Sequence, residues 1–429
     1  MTATLLFVGV VGTYVVLALY NPPGYVFATY EDLIGEWLQT FAFAAALVFS
    51  ALIAASRGPF RWFFALLALA CFYTVMEEIS WGQRLLGFDT PELLKTAGNL
   101  QGEANLHNLL TGPIATPAKA IIEYLLAAAF VGYGLLYPLA LRWKWAPVLW
   151  LERIGIAAPP LYLWPFFVTA AFLELGPLNF NEAEIAELLV ALALAVFTAH
   201  YWFARRTVPD LPAGAVLASH MAPRYTLVIL ATVFAIGVGA TATTYAMYTS
   251  PKSRPKIDAR LLNGYEKFAS RYGSHGRWDV AVQLYTLAQA RNPDSAYYMR
   301  RIADAFQKMG NDTLFRIYNK KALDLAARNL AGKPDSISAN LSIARTYRQS
   351  GDNQKVGYYV QKANAIALER VRQTPDNAHD NYWLAKTYRD MGDYQSARQY
   401  YRRAVELNPG SSKYRRAYLE MQSSNDGEQ

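Results

Sequence analysis

The sequence predicts an all-α chain with two parts, a polytopic transmembrane helical domain of about seven helices followed by an α-solenoid of paired helices. Three observations predict this: a series of long apolar runs, a reversal of charge near residue 251, and internal self-similarity after residue 260. Of 429 residues, 53% are hydrophobic and only 17% charged. Residues 1–251 carry 11 Lys/Arg against 15 Asp/Glu, net −4, whereas 252–429 carry 30 against 18, net +12. The expected boundaries are 1–250 for the transmembrane domain, 251–259 for a linker, 260–422 for the repeats and 423–429 for a polar tail.

The apolar runs lie at 3–20, 37–56, 62–80, 119–141, 160–175, 185–203 and 225–248. A bilayer-spanning helix needs about 20 mostly apolar residues, so most of these runs qualify and 160–175 is the shortest. The first run lacks a basic flank and a small-residue cleavage pattern, so it reads as a retained helix. Cys71, the only cysteine, excludes an intrachain disulfide and a multi-cysteine metal site. In the last run Ala231, Ala235, Gly239 and Thr243 form a small-residue stripe of the kind that lets membrane helices approach closely.

Orientation follows from Lys and Arg in the short loops. Arg57, Arg61, Arg142, Lys144, Arg153, Arg205, Arg206 and Arg224 lie in one set of alternate loops, and only Arg84 and Lys95 in the other. This places the N-terminus in the cytoplasm and, with seven spans, the C-terminal domain on the far side of the membrane.

Self-similarity begins after Pro251, Lys252, Ser253, Arg254, Pro255 and Lys256. Tyr272, Gly276, Ala281, Ala288 and Pro293 recur as Tyr388, Gly392, Ala397, Ala404 and Pro409, with the same Gly-to-Pro spacing of seventeen residues. Those positions resemble the tetratricopeptide repeat (TPR), which implies helix pairs stacked into a curved solenoid whose concave face binds a partner protein. Gly310 to Pro334 and Gly351 to Pro375 each span twenty-four residues instead, so the second helix of each middle unit is expected to run seven residues longer. Four units fill about 260–409, and 413–422 reads as a capping helix.

The densest chemistry lies at the end of the third apolar run, in Glu77, Glu78, Ile79, Ser80, Trp81, Gly82, Gln83 and Arg84, and then in Gln101, Gly102, Glu103, Ala104, Asn105, Leu106, His107 and Asn108. Carboxylates are costly in a bilayer, so adjacent ones at its boundary mark a candidate functional site. Glu77, Glu78, Gln83, Arg84 and His107 are the catalytic candidates, with Glu78 and His107 as acid and base. Glu103 and His107 are four apart, would point the same way on a helix and are the metal candidates. A hard divalent cation is the cofactor such a donor set would take. Glu174, Glu182, Glu184 and Glu187 fall at the same outer face, and Asn105 joins the rival site.

The blocks 77–88 and 101–109 resemble a motif pair of uncharacterised bacterial multi-pass membrane proteins, which implies a bacterial cytoplasmic membrane and no known activity. P-loop, Rossmann, nucleophile-elbow and His-Glu-x-x-His patterns do not occur. Expected partners are membrane lipids and a protein at the concave repeat face, with no nucleic acid. The leading functional expectation is a membrane scaffold whose extracytoplasmic repeats recruit a partner for envelope assembly or a membrane complex. Its alternative is a membrane-embedded, metal-dependent hydrolase or transferase acting on a lipid or lipid-linked substrate at the outer leaflet.

Overall fold

The computed structural model describes residues 2–83, 117–207 and 223–423, and among these no strand occurs. Two compact units result, one reaching Gly264 and one starting at Tyr265. In the first, α1 (Thr2–Tyr20) and α2 (Pro22–Thr29) meet at Asn21, whose side chain accepts the Gly24 N–H at 3.2 Å while Pro22 occupies the first helical position. Then follow α3 (Ile34–Ala55), α4 (Arg61–Glu78), α5 (Pro117–Val131), α6 (Tyr137–Arg142), α7 (Ala146–Arg153), α8 (Trp164–Glu174), α9 (Glu182–Thr207) and α10 (Pro223–Thr249). A final helix, α11 (Arg254–Ser274), begins in this unit.

Helix α3 is central, with α4, α9 and α10 packed around it, while α8 joins α9 to α5. The core uses small residues: Ala42 and Ala46 of α3 and Ala186, Ala191 and Ala193 of α9 are fully buried. Such residues let apolar helices approach closely and gain dispersion contacts. Pro138 has no N–H for the helical ladder, and a π turn, Gly132–Leu136, joins α5 to α6 just ahead of it. Gly134 is required there, because a Cβ would stand 2.1 Å from the Phe167 ring.

Among the described residues, five helices are long and apolar enough to cross a membrane: Thr2–Tyr20, Ile34–Ala55, Lys119–Arg142, Glu182–Arg205 and Thr226–Thr249. The other two of the seven expected runs form helices outside that set. Helix α4 carries Arg61, Glu77 and Glu78 within its 18 residues, and α8 has 11 residues, only about 16 Å of helix. On α10 the buried positions are Ile229, Ile236, Ala240 and Thr244, with Gly239 against Phe41. Ala231 and Ala235 are exposed, so the packed face is offset from the small-residue stripe.

The second unit continues α11 and pairs it with α12 (Trp278–Arg291). The next pairs are α13 (Ala296–Lys308) with α14 (Asp312–Gly332), α15 (Ile337–Gln349) with α16 (Asn353–Gln373), and α17 (Ala378–Met391) with α18 (Tyr394–Leu407). Helix α19 (Ser412–Ser423) closes the array. Helices α14 and α16 have 21 residues where α12 and α18 have 14. Seven residues are about two turns, so the extension leaves the buried face in register. Residues 251–253, expected in the linker, form a turn, and 254–259 are the first turns of α11.

Three positions repeat in every pair. Gly276, Gly310, Gly351 and Gly392 have φ between 73° and 85°, the left-handed conformation that ends a helix without Cβ strain. Seven residues earlier stand Ala269, Ala303, Ala344 and Ala385, and twelve later Ala288, Ala322, Ala363 and Ala404, all at most 1% exposed. These alanines set the closeness of the helix crossings.

Gly351→Ala is expected to cost about 1 kcal/mol, because alanine resists that backbone conformation. Gly357, inside α16, has open space around a Cβ, so Gly357→Ala should stabilise by about 0.5–1 kcal/mol. Urea unfolding of the detergent-solubilised chain should move in opposite directions for the two.

Candidate functional site

Carboxylates gather at one end of the first unit because the helices that carry them start or finish there. Glu36 opens α3, Glu77 and Glu78 close α4, Glu174 closes α8, and Glu184 and Glu187 open α9. Glu187 lies within electrostatic reach of Glu36, Glu78, Glu174 and Glu184. Gln39, 1% exposed, donates its amide to the Glu184 carbonyl at 2.6 Å and to its carboxylate at 3.3 Å, and its own amide oxygen has no hydrogen-bond partner among the described residues. Sequence reading missed Gln39, since a lone glutamine in an apolar run carries no spacing signal.

Glu77 is buried and accepts the Trp81 indole N–H at 2.5 Å. That bond accompanies an unusual backbone: Ser80, Trp81 and Gly82 all have positive φ, at 49°, 52° and 86°. Two successive non-glycine residues in the left-handed region store local strain, a feature that concentrates at functional sites. Glu78 is half-buried beside this turn, and Gln83 donates its backbone N–H to the Ser80 carbonyl. Arg84, Glu103, Asn105 and His107 lie outside the described residues. Among the described residues, no three His, Cys, Asp or Glu side chains converge as a metal-binding group.

Glu182 has a different task. Its carboxylate accepts the backbone N–H groups of Leu178, Asn179 and Phe180 at 2.5–2.8 Å. Asn179 and Asn181 adopt positive φ to wrap around it, as short polar side chains tolerate. The loop is tied to α2 by Asn181 to the Thr29 carbonyl and by the Tyr25 hydroxyl to the Phe180 carbonyl, both at 3.0 Å. Glu31 and Asp32 are likewise occupied by Arg260 of α11, at 2.7 and 2.6 Å.

In the second unit the first helices of successive pairs touch one another, α13 with α15 and α15 with α17, which puts them on the inner side of the curve. Arg345 of α15 binds Asp390 of α17 through Nη2 at 2.7 Å and Nε at 3.1 Å. Gln349 donates to the Arg300 carbonyl at 3.0 Å, clipping α15 to α13.

Residues 378–411, the pair α17 and α18, match the tetratricopeptide-repeat family model. That repeat points to a protein partner. Among solved structures the chain is similar to a thermophilic TPR protein of Thermus thermophilus, at 17% identity and TM-score 0.23, covering 46% of this chain and 93% of that one. It is also similar to MamA of MSR-1, at 18% identity and TM-score 0.18 over 38% and 87%, and to the P58(IPK) TPR domain, at 14% and 0.18 over 72% and 99%. The comparison with curated proteins returns no match.

Removing the Glu182 carboxylate strands three N–H groups of its loop. Glu182→Ala is expected to cost on the order of 2–3 kcal/mol, read as a lowered unfolding temperature in detergent.

Proposed function

We propose that this chain is an integral protein of a bacterial cytoplasmic membrane whose repeat array recruits a partner protein on the extracytoplasmic side. The carrying observation is the union, in one chain, of a tetratricopeptide repeat with a unit that holds, among its described residues, five helices of spanning length. The surface of that unit supports a lipid environment: Leu5, Val8, Leu66, Leu69, Leu125, Leu227 and Phe234 are each more than half exposed. So broad an apolar surface is unfavourable in water. Exposed Trp62, Trp143, Trp145 and Trp150 accompany Arg57, Arg61, Arg142, Lys144 and Arg153 at the ends opposite the carboxylates, a tryptophan and basic-residue pairing typical of the cytoplasmic interface. The resemblance of 77–88 and 101–109 to bacterial multi-pass proteins supports the same reading.

A second reading is favoured by the left-handed turn at Ser80–Gly82. In it Glu77, Glu78, Gln83 and Arg84, with Glu103, Asn105 and His107, act on a lipid or lipid-linked substrate at the outer leaflet, and Glu103 with His107 hold a divalent metal. Glu78→Gln and His107→Ala would then abolish activity in the cell while expression and partner recruitment persist. The scaffold reading expects both variants to keep function unless they unfold.

Sidedness is directly testable because Cys71 is buried and gives little background. Lys320→Cys on α14 should react with a membrane-impermeant maleimide in intact spheroplasts, and Arg57→Cys only after permeabilisation. The reverse pattern would place the repeats in the cytoplasm and overturn the topology.

A further inference from the structure

The last repeat holds more cationic charge than its own carboxylates neutralise. Among the described residues Lys386 of α17 makes no ion pair; its ammonium sits 4.7 Å from the Trp383 ring centre and 5.6 Å from that of Tyr382. Lys413, at the start of α19, makes none among them either and stands 4.5 Å from Tyr382 and 5.9 Å from Trp383. Two lysines from different helices thus share the faces of one aromatic pair. Aromatic faces hold a cation in place without neutralising it. Nearby Arg345 claims Asp390, and Arg300, half-buried on α13, reaches the Ser342 carbonyl at 3.4 Å and the Tyr297 ring.

Resting on the reading that the inner face receives a protein, we propose that its occupant is an extended, Asp/Glu-rich segment, whose carboxylates lie at Lys386 and Lys413 and whose chain runs past Trp383 toward Arg345 and Arg300. Charge complementarity carries the assignment: helices α13, α15, α17 and α19 offer Arg300, Arg345, Lys386 and Lys413, while Asp390 is taken by Arg345 and Glu420, beside Tyr382, by Arg416. The side chains of Trp383, Lys386, Arg345 and Arg300 are half-buried and Lys413 is exposed, so the row is open to a ligand. A carboxylate at the lysine pair keeps both cation–π contacts and adds the missing counter-charge.

Protonation supports this geometry. Burial pulls the Lys386 ammonium down to about 8, aided by Arg345 of α15, Arg389 of its own helix and Lys413 of α19, with Asp390 the opposing influence. The other titratable groups around it are Tyr382, buried Tyr401 of α18, and Tyr414 and Glu420 of α19. A fraction of Lys386 is therefore neutral above pH 8, and an arriving carboxylate draws a proton back onto it. In the free protein the depressed value means folding stability rises as pH climbs from about 8 toward the ordinary lysine range, where the unfolded chain holds the extra proton.

The test uses the full chain in neutral detergent with fluorescein-labelled hexaglutamate, read by anisotropy. Binding is expected to weaken with salt, with no binding of hexaglutamine or hexalysine. Lys386→Gln/Lys413→Gln should lose affinity about tenfold or more, whereas Lys320→Gln/Arg328→Gln, equal in charge and on α14, should not. Calorimetry at pH 8.5 in two buffers of different ionisation enthalpy should show proton uptake that Lys386→Met abolishes. Equal loss in the two double variants, or stronger binding of an oligothymidylate, would overturn the acidic-segment proposal. Panning a random peptide library on the same protein separates the readings. Neutral peptides lost in Trp383→Ala would overturn the acidic occupant and keep the protein-binding face, while recovery of no peptide would overturn both.

Discussion

The first unit is organised by the cost of placing an ionised side chain in the middle of an apolar helix. Every described charge in it lies near a helix end or in a connection: Glu36 opens α3, Glu77 and Glu78 close α4, Glu184 and Glu187 open α9. This rule sorts charge by depth, and the placement of the basic residues adds a bias by sign. Acidic starts and ends collect on one side, and Arg57, Arg61, Arg142 and Arg153 on the other. The carboxylate cluster follows from topology plus desolvation, and only then becomes available for chemistry.

Several of these carboxylates have structural tasks. Glu182 is consumed by three N–H groups of its own loop, and Glu31 and Asp32 by Arg260, more than two hundred residues away. Glu77 holds Trp81 across a strained turn. Glu187 lies within electrostatic reach of Glu78 and Glu184, and Gln39 donates its amide to Glu184. Acidic side chains that look alike in composition thus take different partners.

Much of the architecture was legible because periodic signals are local. Glycine at the left-handed turn, alanine at the crossings and proline after the second helix each satisfy one geometric need, so the repeat pattern and the seven-residue extension could be read from spacing alone. Hydropathy marked seven apolar runs, and among the described residues five of them form helices of spanning size, while α4 carries three charges and α8 is short. The Arg260 pairing and the role of Glu182 were not legible, since both depend on which loops meet in space. The stripe on α10 was displaced for the same reason: small residues permit close approach, yet the neighbour decides which face is approached.

Net charge on the repeat array illustrates a related limit of composition. A surplus of basic residues ordinarily describes solvated helix faces, and Lys320 and Arg328 fit that description. Arg345 does not, since it is committed to Asp390 across two helices, and Lys386 and Lys413 do not, since aromatic rings hold them. A lysine paired with a carboxylate must give up that partner before it can accept another, whereas one resting on a π face gives up little. The Tyr382–Trp383 pair therefore keeps two ammonium groups ordered and still unneutralised, and ordering without neutralising is what a surface needs in order to bind an anionic segment.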